Sequence, residues 1–245
     1  MGNVDRRTAL CVIAAAVLAA TGDLLPARAD AARGGLPAAR VPAPAGVLTR
    51  LPGDGNQLAF TVDDGTSTAV VAAFADFCRD TGTRMTFFVN GANKSWTDNA
   101  PALQPMVDSG QVQLGNHTWS HPDITRIGVD AVADQIRRNA DFLKNTYGVD
   151  GTPFFRPPYG RHNADTDRVA ATLGYPTITM WSATIGDSAP ENATSLIANA
   201  RNSFQAQQIV LGHANLPTIT HCYAQLIDII STRNLQTVTL NDVFG

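Results

Sequence analysis

Leu58-Ala59-Phe60-Thr61-Val62-Asp63-Asp64-Gly65 is the stretch that decides how this chain is read. Leu58–Val62 is a short apolar and β-branched run, the mark of a buried strand. It ends in two adjacent carboxylates, which repel each other when set side by side. A cation beside one of them removes that objection. Further on, His117-Thr118-Trp119-Ser120-His121 places two histidines four residues apart. Asp64, His117 and His121 then make a two-histidine, one-carboxylate set, and three protein ligands with open positions describe a catalytic metal site. Zinc suits these donors, and the same set holds iron, cobalt, manganese or nickel. Successive side chains at a strand end point different ways, so Asp63 is free for proton work while Asp64 holds the ion. A general base placed there takes the proton as an activated water attacks a carbonyl, which points to a metal-dependent hydrolase.

The same kind of run recurs along the chain. Strands are expected at Leu58–Val62, Met85–Val89, Val112–Gly115, Pro153–Arg156, Thr177–Trp181, Ile209–Leu211 and Gln236–Leu240, with a further short one at Leu48–Leu51. Amphipathic stretches separate them: Ala69–Thr81, Pro101–Ser109, Val129–Tyr147, Ala164–Leu173, Ala193–Phe204 and Ala224–Thr232. Thr66 to Thr68, and Asn99 before an early proline, mark helix starts. Gly82, Gly110, Gly148 and Gly174 fall just past helix ends. Strands alternating with helices predict a parallel α/β fold, either an open doubly wound sheet or a barrel. In both, chemistry sits at the C-terminal strand ends. Asp63-Asp64, His117, Arg156, Trp181 and His213 all fall at such ends.

Two further segments carry chemistry. In Arg156-Pro157-Pro158-Tyr159-Gly160 the prolines stiffen a loop that can aim a backbone N–H at a developing oxyanion. Arg156 is placed to pair with a catalytic carboxylate. Leu211-Gly212-His213 ends a strand with a histidine suited to protonate a leaving group.

In this order the segments resemble the polysaccharide deacetylases, carbohydrate esterase family 4 with its NodB-like domain. The resemblance lies in Thr61-Val62-Asp63-Asp64-Gly65, His117 to His121, Arg156 to Gly160 and Leu211 to His213, with Thr86-Phe87-Phe88-Val89-Asn90-Gly91 similar to the family's second strand. It covers about residues 47–243. It implies a distorted (β/α)7 barrel with one catalytic domain over 47–245. It further implies Asp63 as general base, Asp64, His117 and His121 as ligands of a divalent metal, and His213 as general acid tuned by Asp187. Arg156 orients Asp63, Tyr159 offers its backbone N–H to the oxyanion, and Leu211, Trp181 and Pro158 contact the acetylated substrate. The implied partner is an acetylated polysaccharide or oligosaccharide: an N-acetylglucosamine polymer such as peptidoglycan or chitin, or O-acetylated xylan. Thr184 and Ser188 depart from the pattern, where family members often carry an acid and a tryptophan, and the change opens that wall of the site. The competing readings are a catalytically weak carbohydrate-binding member of the same fold and a related amidohydrolase acting on small C–N substrates.

Composition bounds the rest. The chain has 245 residues, 44% hydrophobic and 16% charged, with a net charge of -3. No basic run suggests nucleic acid. Arg6-Arg7, an apolar stretch from Ala9 to Ala20 and Ala27-Arg28-Ala29 have the layout of a secretory leader over 1–29, with a twin-arginine flavour. The apolar stretch is shorter than the roughly 20 residues a membrane helix needs, so no stable membrane span is expected after cleavage. A secreted or cell-envelope location follows. Residues 30–46, rich in Ala and Pro, read as a linker or a tail lying on the domain. Outside the leader, Cys78 and Cys222 read equally as one disulfide or as two buried thiols. Nothing in the sequence fixes an oligomeric state.

Overall fold

The computed structural model describes residues 40–245. The expected leader, and residues 30–39 of the expected linker, lie outside the described residues. Among the described residues, nine strands form one parallel sheet: β1 (Gly46–Leu48), β2 (Gln57–Asp64), β3 (Met85–Val89), β4 (Val112–Asn116), β5 (Phe154–Phe155), β6 (Thr177–Thr179), β7 (Ala183–Thr184), β8 (Gln208–His213) and β9 (Gln236–Thr237). Their order is β1-β6-β5-β4-β3-β2-β8-β7, with β9 also paired to β2. The α-helices of the described residues are α1 (Thr68–Thr81), α2 (Lys94–Asp98), α3 (Ala100–Asp108), α4 (Val129–Tyr147), α5 (Ala164–Thr172), α6 (Ala193–Ser203), α7 (Tyr223–Thr232) and α8 (Leu240–Val243). The sheet curls into a distorted barrel with β1 and β7 as its ladder ends. Backbone bonds from Leu51 to Gln207 (3.0 Å) and from Ser182 to Ile209 (3.0 Å) draw those ends toward β8.

Period-2 alternation on β2 sorts its side chains. Leu58, Phe60 and Val62 pack against Val70 and Phe74 of α1. Ala59 faces the other way, into a cluster with Phe88, Phe154, Ile209, Leu240 and Val243 that fills the lumen. Thr61 and Asp63 share the Ala59 face by alternation, so Asp63 reaches the mouth of the lumen. The connecting helices cover the outer face, as a buried parallel sheet requires.

Several boundaries differ from the sequence expectation for local reasons. Residues 41–46, within the expected linker, are fastened to the body: Val41 donates to Val243 O (2.9 Å) and Gly46 to Pro176 O (2.8 Å). The first strand therefore forms at Gly46–Leu48, ahead of Leu48–Leu51. The expected strand Gln236–Leu240 stops at Thr237, because Thr239 and Asp242 form a reciprocal capping box that starts α8. Asn99 takes the N-cap position of α3 with proline in the first turn, as expected, but its side chain makes no capping bond; its amide donates to Ser95 O (2.9 Å) and Thr68 O (3.0 Å). α2 and β7 were not expected, both too short to show a period. Of the two readings for the cysteines, free thiols are observed, both buried. Among the described residues no helix is long and apolar enough to cross a membrane.

Candidate active site and metal centre

The C-terminal strand ends meet in a cleft of about 440 Å³ lined by Asp63, Asp64, His117, His121, Tyr159, Gly160, Trp181, Thr184, Ser188, Leu211, His213 and Asn215. A cavity of similar size, about 460 Å³, opens at the other end near Arg84 and Asp242, and it gathers no comparable set of titratable donors. Register explains the first assembly. Asp63 is the lateral partner of His213 on β8 and of Phe88 on β3, and Asn116, just before His117, pairs with Phe155, just before Arg156. His213 therefore stands beside Asp63, one strand over.

Asp64 Oδ1 lies 3.3 Å from Nε2 of His117 and 3.3 Å from Nε2 of His121. That oxygen is buried and has no hydrogen-bond partner. Such an orphan is costly unless something else satisfies it. The Nδ1–H of His117 donates to the Arg156 carbonyl (2.6 Å), which turns the Nε2 lone pair toward Asp64, the usual outer support of a metal-binding imidazole. Burial raises the Asp64 carboxyl, but the close imidazole and charge of His117, then the charge of His121 and the Asn215 hydrogen bond to Oδ2, outweigh it and hold the group well below the usual carboxylate range. Burial and then the nearby His117 push His121 down to about 4. Burial also opposes charge on His117, yet Asp63 and Asp64 raise it above its ordinary value. A cation displaces a proton held this way. Among the described residues this is the one cluster with metal-ligand geometry, its donor atoms all within 4.8 Å of one another. The residues fit a divalent cation.

Behind these candidate ligands, Asp63 is held by a buried arginine. Arg156 has no exposed surface and donates through Nη1 to Asp63 Oδ1 (2.7 Å) and Thr61 Oγ1 (2.8 Å), through Nε to Thr179 O (3.0 Å) and through Nη2 to Met180 O (3.1 Å). Its guanidinium also lies over Phe88, 4.1 Å from the ring centroid. Asp63 Oδ2 stays clear of the arginine and faces His117 Nε2 at 3.6 Å. His213 is clamped by one carboxylate: its backbone N–H donates to Asp187 Oδ2 (2.8 Å) and its Nδ1 to Oδ1 (2.9 Å). Burial disfavours charge on His213, but the Asp187 hydrogen bond and the charges of Asp63 and Asp187 raise its pKa. Pro158, expected among the substrate contacts, is buried and does not line the cleft.

Left-handed backbone concentrates here. Asp64 (φ 70), Thr118 (φ 68), His121 (φ 60) and Tyr159 (φ 59) are non-glycine residues in that region; three of them line the cleft, and Thr118 directly follows His117. Such strain persists only where surroundings over-determine it. The determinants are side chains that sequence reading missed. Trp96 Nε1 and Asn93 Nδ2 both donate to the Asp64 carbonyl (2.9 Å each). At Gly65 (φ 78) a Cβ would meet the Trp96 ring at 2.5 Å, so only glycine fits beneath it. Asn116, Asn139 and Asn90 form a buried amide network around the His117–Thr118 turn, with Asn139 bridging Val89 O (2.8 Å), Gly91 N (2.7 Å) and Asn116 Oδ1 (3.0 Å). One signal for it was available: Asn139 interrupts the apolar stripe of α4 formed by Val132, Ile136 and Leu143.

Comparison with known proteins bears on this geometry. A family model described as "Polysaccharide deacetylase" matches residues 51–178. A peptidoglycan-N-acetylglucosamine deacetylase of Listeria monocytogenes is 28% identical over 189 residues, covering 77% of this chain and 39% of that protein. A chitin deacetylase of Pestalotiopsis sp is 28% identical over 196 residues, covering 78% of this chain and 64% of that protein. Among solved structures, the carbohydrate esterase domain of a multidomain xylanase from the hindgut metagenome of Trinervitermes trinervoides superposes with a TM-score of 0.67 at 26% identity, covering 77% of this chain and 89% of that one. The chain spans less than half the length of several curated relatives that it matches.

Proposed function

Because the chain belongs to the polysaccharide deacetylase family, we propose that it hydrolyses acetyl groups from an acetylated polysaccharide or oligosaccharide, with help from a divalent metal. One observation carries the reading: the buried, unpartnered Asp64 Oδ1 between two imidazole nitrogens, with the Asp63 carboxylate fixed beside it. A divalent cation held by Asp64, His117 and His121, zinc first among those these donors suit, supplies the Lewis acidity that polarises an acetyl carbonyl and acidifies water. Asp63 Oδ2, the oxygen that Arg156 leaves free, accepts the proton as water oxygen bonds to the acetyl carbon. Arg156 keeps Asp63 in place through Oδ1. The Tyr159 backbone N–H, on its stiff left-handed loop, donates to the oxyanion. His213, with Nδ1 engaged by Asp187, uses Nε2 to protonate the departing amine or hydroxyl as its bond to the acetyl carbon breaks, giving acetate and a deacetylated sugar. Leu211 and Trp181 line the space for the acetyl methyl.

The substrate classes that fit are N-acetylglucosamine polymers, in peptidoglycan or chitin, and O-acetylated xylan; relatives named for action on peptidoglycan, chitin and xylan support all three. Thr184 and Ser188, both exposed on the cleft wall, leave room for a substituted or branched sugar. A secreted or cell-envelope location suits such substrates. The test is acetate release from chitin oligomers, peptidoglycan and acetylated xylan by the zinc-loaded protein. Release from at least one is expected, and release from none overturns the proposal.

A further inference from the structure

We infer that Asn215 is a positioning residue of the metal centre: it engages Asp64 Oδ2 and so leaves Oδ1 as the single carboxylate oxygen offered to the cation. This rests on the metal-assisted reading above. The geometry is specific. Asn215 Oδ1 accepts from the Thr66 backbone N–H (3.0 Å) and from its hydroxyl (2.9 Å). A backbone N–H can only donate, so the amide oxygen must face Thr66, and the amide NH₂ is left pointing the other way. There Nδ2 donates to Asp64 Oδ2 at 2.7 Å. Flipping the amide would set an NH₂ against an N–H and an oxygen against a carboxylate, so the chemistry settles the orientation.

The backbone around this contact is equally fixed. Ala214 N donates to Asp63 O (3.0 Å) and Ser67 N to Ala214 O (3.3 Å), which fastens the loop after β8 to the loop after β2. On its other side, the Asp64 carbonyl takes the hydrogen bonds of Trp96 and Asn93 already described. Of the oxygens of Asp64, the carbonyl and Oδ2 are thus satisfied by protein donors, and Oδ1 alone is buried without one. An aspartate able to turn both oxygens toward the ion raises its coordination number and fills a position that water or substrate needs. Asn215 prevents that turn. Partners of metal ligands at this remove are worth about 10–100-fold in metal affinity.

The test compares wild type, Asn215→Ala and Asn215→Asp by zinc competition against a chromophoric chelator and by the visible spectrum of the cobalt-loaded proteins, with metal-free Tm as the folding control. Asn215→Asp keeps the acceptor for Thr66 and the side-chain shape, so it remains informative should Asn215→Ala fail to fold. Expected are a zinc affinity for Asn215→Ala weaker by about 10–100-fold, and cobalt bands in both variants that differ from wild type as coordination geometry changes. Wild-type affinity in Asn215→Ala, or a wild-type cobalt spectrum in Asn215→Asp, overturns the assignment while leaving the metal-assisted reading intact. A wild-type protein that binds neither metal overturns both.

Discussion

Replacing Arg156 by lysine keeps the charge beside Asp63 and removes the planar fork. The guanidinium makes four side-chain hydrogen bonds, to Asp63, Thr61, Thr179 and Met180, from a position with no exposed surface. An ammonium on a flexible stem is a compact point charge and cannot span acceptors spread around a plane. If it follows Asp63 Oδ1, the buried Thr179 carbonyl loses its arginine donor, and the Met180 carbonyl loses its own at a part-buried position. Leaving the buried one unsatisfied costs about 1–3 kcal/mol. At roughly 2–4 °C per kcal/mol for a domain of this size, Tm should fall by ~2–12 °C. Asp63 would also lose its fixed angle, and a misplacement on the order of 1 Å costs about 10²-fold in rate. The assay is thermal unfolding followed by circular dichroism, alongside kcat for acetate release below the new Tm. A variant with wild-type Tm and wild-type kcat would refute the reasoning, because the fork would then hold nothing in place.

Asp63→Asn should leave zinc affinity near wild type and lower kcat by about 10²–10⁴-fold, the usual worth of a general base; near-normal turnover reassigns the base. Asp187→Asn removes the charge, and one of the two acceptor oxygens, that raise His213 against burial. The acid must be protonated to act, and activity is lost as pH rises through its pKa, so the basic limb of the kcat–pH profile should move to lower pH. A basic limb that stays where it was contradicts the assigned acid. Burial pushes the Cys78 thiol well above its ordinary range, and only a thiolate reacts readily. Iodoacetamide should therefore miss Cys78 in the folded protein and modify it after unfolding; rapid labelling of the native state would contradict that burial.

What the sequence disclosed and what it hid differ in physical kind. The strand ends were legible because apolar runs meeting Asp63-Asp64, His117, Arg156 and His213 are local patterns, and a parallel sheet brings equivalent ends to one rim. The β-register that sets Asp63 beside His213 follows from that rule. α2 was hidden because five residues give no helical period, yet it delivers Trp96 to the Asp64 carbonyl. Asn215 was passed over because its partners, Asp64 and Thr66, are some 150 positions away along the chain. β9 was drawn too long because Val238 and Leu240 continue the apolar run, while the Thr239–Asp242 capping box breaks it. Asn139 could have been found, as a polar residue on the buried stripe of α4, but its acceptors on β3 and β4 could not. Short-range periodicity thus pointed to the candidate site, and long-range hydrogen bonds determine how its residues are held.

The central claim is that Asp64, His117 and His121 hold a divalent metal on which deacetylation depends. Its most direct test is acetate release by the protein stripped with chelator, checked for residual metal, and then given stoichiometric zinc. The account predicts loss of release on stripping and its return with zinc. Undiminished release from demonstrably metal-free protein would contradict it.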